Sequence, residues 1–572
     1  MNDNKKYIDV YTLDPPNLNM GFGNKLFIIG AALCTNEYKD GGILRFWSGG
    51  FNLERTCNKY VKYILDYNNI RYEFIDDDIF PPHFNYDDYK QDYSLFDIKL
   101  LREYFKCPDD IKKLIFDNIC PDIEDRIAIN VRRGDFLEIK NVFIVLNKIY
   151  FRRVYNKYYK GEKLIIISND IEWCKENLND LCDDIFFYHS DNFLYDFYLL
   201  TYAKGCIASP STFSIMSQYL NKNENCVISD ILYKINRNNN IIFTDGNKTI
   251  PPFFIKEEIS ATDIENLNIA LCCIASKENK YIREWIKHYK NLGFDRIIIC
   301  DNNFGDSEYF EDVILDYIES GYVTILNYRD IKSPQLQAYY EVFNTFKEFD
   351  WIAYYDIDEF LVLKQHNTIH EYFKWAYNKF YELNIFDKNI VAICANWECY
   401  SDSNILYYDE TPIFEKFKEP IKDNKGKIKI DVIDDDIYKS YVYSINIHIK
   451  SIVNTYSKDI IEFSPHVPIV DFNKINNIYM HMNLCFYVHV TNGHFLYSDN
   501  NNDELKAYVN YDVAKINHYI TKTLQEFCQH KRKLYGGDVK RGENDYNKEY
   551  YIKYNDWNEE KENLWKKMNN EE

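Results

Sequence analysis

Three carboxylates, Asp356, Asp358 and Glu359, interrupt the apolar stretch "DWIAYYDIDEFLVL" (350–363). If the run up to Tyr355 is a strand, alternation sends Asp356 and Asp358 to one side and Ile357 to the other. Two like charges on one side repel unless a cation lies between them. Hard divalent cations take such oxygen ligands and keep positions open for phosphate oxygens. The plainer alternative is an acidic loop that caps a following helix. A second charged pair, Arg132 and Arg133, follows the apolar run "RIAINV", with Gly134 and Asp135 directly after it. Paired guanidiniums suit a diphosphate, because each is a rigid fork of donors that stays charged. A surface ion-pair patch is the alternative.

Smaller groups accompany the arginines. "MGFGNKLF" brings Gly23 and Asn24 to a helix start, but Leu26 stands where a dinucleotide fingerprint needs its third glycine. "IIISNDIEW" ends with Ser168, Asn169 and Asp170, suited to hydrogen-bonding a nucleotide or capping the next helix. "SPSTFSIM" sets Ser211 and Thr212 at a helix start, where N–H groups and hydroxyls form an anion site. "ANWECYSDSN" offers Glu398 and Asp402 as candidates for a general base, each also readable as an ordinary surface carboxylate.

The elements that must carry these residues alternate. "RIAINV", "KLIIIS" and "CVISD" read as buried strands of a first region, 1–226. "IALCCIA", "RIIICD" and "YVTILNY" do so in a second, 267–537. Between the first two of these, Ile282, Trp285, Ile286, Tyr289 and Leu292 share one helical face. Strand–helix–strand alternation predicts two α/β domains with parallel sheets and ligands at strand C-terminal ends. Residues 227–266 read as a linker with one short strand, 538–572 as a charged solvated helix or frayed tail, and "EKFKEPIKDNKGKIKIDVIDDDIYK" as an inserted loop.

Bulk properties limit the partners. A chain of 572 residues exceeds what one core sustains. Net charge of −21 repels a phosphate backbone and argues against nucleic acid. The 15 cysteines form no CxxC pair, which argues for reduced thiols rather than a zinc ribbon or a disulfide framework. No apolar stretch suits a signal peptide or a membrane span, so a cytoplasmic location is expected.

The first region resembles the α-1,2-fucosyltransferases of glycosyltransferase family 11. Their ordered pattern GGLGNQLF, HxRRGDY, FSDDIEWCKEN, NSSFSWW is matched by "MGFGNKLF", "NVRRGDF", "SNDIEWCKEN" and "PSTFSIM". Asn130 stands where that family usually has His. The resemblance implies a GDP-fucose donor, a GT-B-like Rossmann-type fold and no metal. Arg132 and Arg133 would hold the diphosphate, and Asp135 would lie near the reaction centre.

The second region resembles the DUF23-like, family 92 group of GT-A glycosyltransferases. The matching stretches are "KENKYIREW", "GFDRIIICDNNFGDS", "DIDEF", "IKSIVN", "SPHVP" and "NHYITKTLQEF". That resemblance implies a nucleotide-sugar donor, usually UDP-linked, and a divalent cation such as Mn²⁺. Asp356 and Asp358 would bind the metal with His466 as third donor, and Glu278, Asp301 and Gln337 would face the nucleotide. The expectation is therefore a bifunctional glycosyltransferase acting on glycan acceptors. The alternatives are one active half beside a carbohydrate-binding module, a non-enzymatic glycan binder, and an NAD-dependent oxidoreductase suggested only by the incomplete glycine motif.

Overall fold

The computed structural model describes residues 6–10, 22–47, 56–75, 92–140, 142–234, 246–305, 307–385, 388–421, 445–471, 477–484, 486–487, 489–491, 494–499, 502–507, 509–529 and 546–569. The expected inserted loop lies largely outside them, as do Gly21 and much of 235–245. The chain forms two compact units, Met1–Ile259 with Asp263–Asn266, and Ser260–Thr262 with Leu267–Glu572.

The first unit contains two parallel sheets. Strands β1 (Tyr7–Val10), β2 (Ile43–Trp47) and β3 (Tyr72–Ile75) form the smaller one. The larger has β4 (Ile127–Val131), β5 (Leu164–Ser168), β6 (Ile185–Tyr188), β7 (Gly205–Ala208), β8 (Cys226–Ser229) and β9 (Ile255–Glu257) in the order β6-β5-β4-β7-β8-β9. All of its pairings are parallel. Strands β4, β5, β7 and β8 are wholly buried, which is why they read as unbroken apolar runs. The expected linker, apart from Ser260–Thr262, is thus part of this unit. β9 extends the sheet, and Arg153 pairs with both Glu257 and Asp263.

In the second unit the strands are β10 (Ile269–Ala275), β11 (Arg296–Asp301), β12 (Val323–Asn327), β13 (Trp351–Tyr354), β14 (Glu359–Leu363), β15 (Asn389–Cys399) and β16 (Ile449–Asn454). They are followed by β17 (Ile460–Phe463), β18 (Pro468–Val470), β19 (Asn477–His481), β20 (Phe486–Tyr487), β21 (His489–Thr491), β22 (His494–Asp499), β23 (Asn502–Ala507) and β24 (Ala514–His518). The main sheet runs β12-β11-β10-β13-β16-β15-β19-β20, and β24 bridges β14 and β15. β10 to β13 are mutually parallel, whereas β16 is antiparallel to both of its neighbours. The helix Ile282–Asn291 buries Ile282, Trp285, Ile286 and Tyr289, the face expected from their spacing.

The tail is helical, one of the two expected forms, but it is packed rather than solvated. Helices Lys548–Tyr554 and Glu559–Asn569 bury Tyr551, Leu564 and Trp565 against Leu524, Phe527 and Cys528. Lys561 is fully buried because its ammonium lies 2.6 Å from Asp402 Oδ2. Lys561→Ala is expected to cost about 1–3 kcal/mol, since Asp402 keeps only neutral partners. Among these are the Tyr551 hydroxyl at 2.5 Å and the Asn404 N–H at 2.9 Å. Denaturant melts of the two proteins measure the difference.

Candidate active sites

Each main sheet reverses its strand order at one place, and the charged motifs lie there. In the first unit β4 leads outward to β5 and β6, and β7 returns to the other side of β4. A crevice at the carboxyl ends of such strands is the ordinary ligand site of an open α/β sheet. Arg132 follows β4, and its N–H donates to the Ser209 hydroxyl after β7 at 3.0 Å. A cavity of about 600 Å³ opens there, with Asn24, Asn130, Arg132, Asp135, Asp196 and Ser211 in its wall. Gly23, Ser168 and Thr212 line it too.

Local structure explains the placement. The helices Phe22–Leu33 and Thr212–Leu220 bring their N-terminal ends together. A Cβ on Gly23 would lie 2.5 Å from the backbone of Thr212 and Phe213, so only glycine permits that approach. Ser211 caps the second helix by accepting from the Ser214 N–H. Two helix N-termini at one cavity favour an anion. Gly134 turns the chain after the arginines with φ +43°, and its Cα packs against the Asn169 amide.

The two arginines part company. Arg132 is partly exposed and lies 2.6 Å from the Asp135 carboxylate. Arg133 is buried, pairs bidentately with Glu265 and with Asp170 at 2.9 Å, and lies over the Trp173 ring at 4.1 Å. Burial opposes its charge, but the carboxylates of Glu265 and Asp170 hold its pKa above the ordinary arginine value. Asp170 also caps the helix Ile171–Asn177, and the Ser168 hydroxyl accepts the Asp170 N–H. Arg132 therefore faces the cavity, whereas Arg133 braces the turn behind it.

In the second unit β10, β11 and β12 run outward and β13 returns on the other side of β10. Glu278 follows β10, and Asp356 and Asp358 follow β13. The strand stops at Tyr354, and the carboxylates occupy the turn before β14. They do not share one partner. Asp356 Oδ2 lies 2.7 Å from Lys450 Nζ, while Asp358 Oδ2 lies 3.6 Å from His518 Nε2. Glu359 opens β14 rather than capping a helix. It is wholly buried, accepts the Asp356 N–H at 2.9 Å and lies 3.5 Å from Lys450. Glu278 pairs with Lys522 at 2.8 Å. Burial raises its pKa, the Lys522 ammonium opposes that rise, and Asp358 adds to it.

Other residues singled out by sequence have partners of their own. Asp301 is buried against Arg329 at 2.7 Å and accepts from Asn303. Gln337 is exposed and donates to Glu341, while its neighbour Gln335 is buried on the Tyr339 hydroxyl. Glu398 pairs with Lys515 and accepts from Tyr400. The buried Asp402 anchors the C-terminal helices, which leaves it no role as a base. His466 hydrogen-bonds the Ile449 carbonyl through Nδ1, and Trp397 lies among the rings of His448, His466 and His518.

Lys450, His518, Lys522, Glu265 and Asp196 were not assigned roles from sequence. Lys450 and Asp196 carried a signal, each being a lone charge inside an apolar run, "INIHIKSIVN" and "FLYDFYLL". Among the described residues no group of three His, Cys, Asp or Glu side chains is placed to hold a metal ion. A carboxylate oxygen and an imidazole nitrogen do approach each other at Asp358 and His518, two residues along the turn from Asp356. That donor set fits an open site for a hard or borderline divalent cation, completed by ligand oxygens.

The comparisons with known proteins agree with this division. The glycosyl transferase family 11 model matches residues 55–241, and the glycosyltransferase family 92 model matches 268–571. Galactoside alpha-(1,2)-fucosyltransferase 2 of Bos taurus is 30% identical over 103 residues, which is 16% of this chain and 30% of that protein. The Mus musculus protein of the same name is 27% identical over an equal span. A glycosyltransferase family 92 protein of Oryza sativa subsp. japonica is 27% identical over 105 residues, 18% of each chain. The chain thus spans less than a third of the length of these curated relatives. Among the described residues no helix is long and apolar enough to cross a membrane. Since the second match covers more than half of the sequence, the chain belongs to glycosyltransferase family 92, and it also carries a region that matches the family 11 model.

Proposed function

We propose that the protein is a bifunctional glycosyltransferase working on glycan acceptors. The first unit, GT-B-like, transfers fucose from GDP-fucose without a metal. The second, GT-A-like, transfers another sugar from a nucleotide-linked donor, a UDP-sugar, with a divalent cation such as Mn²⁺. The observation that carries this reading is the placement of a charged motif at the strand-order reversal of each main sheet.

In the first unit Arg132 and the two helix N-termini meet the diphosphate and hold the leaving charge. Arg133 keeps the turn that presents Arg132. In the second, Asp356, Asp358 and His518 would hold the cation, which when bound neutralises the departing diphosphate. Lys450 fixes Asp356, and Lys522 keeps a positive charge beside Glu278. Burial works against the Lys522 ammonium, but Glu278, Asp358 and Glu526 hold its pKa above the usual lysine value.

A panel of sugar nucleotides, assayed for turnover with Mn²⁺ and with a chelator, tests both halves. GDP-fucose turnover is expected to survive chelation, and UDP-sugar turnover to require the metal. Loss of fucose transfer on chelation would remove the metal-free assignment. Absence of UDP-sugar turnover in Mn²⁺ would remove the second.

A further inference from the structure

We propose that Asp196 is the general base of the first unit, taking the proton of the acceptor hydroxyl as fucose is transferred. The inference rests on reading the cavity as a fucosyltransferase site. Asp196 lies in the cavity wall on the first turn of the helix Phe193–Tyr202. It is 9% exposed, and its Oδ1 has no hydrogen-bond partner among the described residues. The helix is already capped by Asn192, which accepts the Leu194 N–H, so capping does not explain this carboxylate. Its neighbours in the wall include the rings of Phe22, Phe193 and Phe213. Burial alone pushes its pKa up to about 7. A base poised near neutrality transfers protons most effectively.

A second oxygen points to the same ligand chemistry. Asn130, also in the wall and 7% exposed, has a side-chain carbonyl with no donor among the described residues. A buried polar atom without a partner is costly unless a ligand supplies one. Two acceptor oxygens at one cavity call for hydroxyl donors, which a sugar carries. Asp135 differs, being exposed and paired with Arg132. In the step proposed, the acceptor oxygen bonds to the anomeric carbon as its proton passes to Asp196. The bond from that carbon to the β-phosphate oxygen breaks, and the electron pair leaves with GDP. Asp196 then returns the proton to water.

The test compares wild type and Asp196→Asn with GDP-fucose and a galactoside that the wild type fucosylates. The turnover number is expected to fall about 10²–10⁴-fold. GDP affinity by calorimetry should stay unchanged, and the melting temperature should rise, because an unpaired buried carboxylate is gone. Added formate should restore part of the rate to Asp196→Ala, which a merely structural role would not allow. Turnover of Asp196→Asn within threefold of wild type overturns the proposal, as does a loss matched by lost GDP binding. If wild type neither binds GDP nor turns over GDP-fucose, the reading of the cavity itself fails.

Discussion

Lys450→Met is expected to lower the stability of the second unit by about 3–5 kcal/mol, seen as an earlier thermal transition. The Lys450 ammonium is fully buried and lies 2.7 Å from Asp356 and 3.5 Å from Glu359. Burial opposes its charge, but Asp356, Glu359 and Asp358 hold its pKa above the ordinary value. That stabilisation is complete below the unfolded lysine pKa and is lost only as pH rises through the folded one. Without the cation, Asp356 can take up water because its side chain is about one-third exposed. Glu359 cannot, being wholly buried with Oε1 unpartnered. Burial already raises the Glu359 pKa with Lys450 present, and removing the lysine raises it further. The folded variant then binds more protons than the unfolded chain above the usual glutamate range. Its stability falls as pH rises, and the deficit is larger at pH 8 than at pH 5. Adding Glu359→Gln should recover part of the loss. An unchanged transition in the single variant would show that the ion pair is not what holds the DID turn.

Asp358→Asn is expected to cut sugar transfer by the second unit about 10²–10³-fold, the range for losing a group that stabilises transition-state charge. Turnover of GDP-fucose should be untouched. Asp358 lies beside His518 at the place where strand order reverses, and its carbonyl accepts the Tyr519 N–H at 3.0 Å. The turn therefore keeps a backbone anchor when the carboxylate is replaced. Titration of Mn²⁺ followed by electron paramagnetic resonance separates the effects. Weaker metal binding by both Asp358→Asn and His518→Ala supports the shared site. Full transfer activity in Asp358→Asn would exclude it.

The buried parallel strands were readable because both of their faces are covered, so β4, β5, β10 and β11 appear as continuous apolar runs. β9 was legible only as one short strand within the linker, because Ile255–Glu257 is too short and too exposed to be located, and its place in the sheet comes from pairing with β8. The burial of the C-terminal helices was hidden by charge. Lys561 reads as a solvated residue, yet it is buried because Asp402, far back in the chain, neutralises it. The same logic governs the sites. Arg132, Asp356 and Asp358 were marked by their position just after a strand. Their partners Ser209, Lys450 and His518 come from distant segments, and no local pattern specifies which cation meets which carboxylate. Arg133 shows the limit most plainly, since only Glu265 and Asp170 distinguish it from the arginine next to it.

The antiparallel strand β16 has a consequence for synthesis. It lies between β13 and β15 in the sheet, although both precede it in the chain. Until Ile449–Asn454 emerges from the ribosome, β13 and β15 each present an open edge. Roughly a hundred residues separate β13 from β16, which at about 5–20 residues per second leaves β13 waiting some 5–20 s. The nascent second unit is therefore exposed to edge-to-edge aggregation for that interval, and its yield should depend on translation speed and on chaperones.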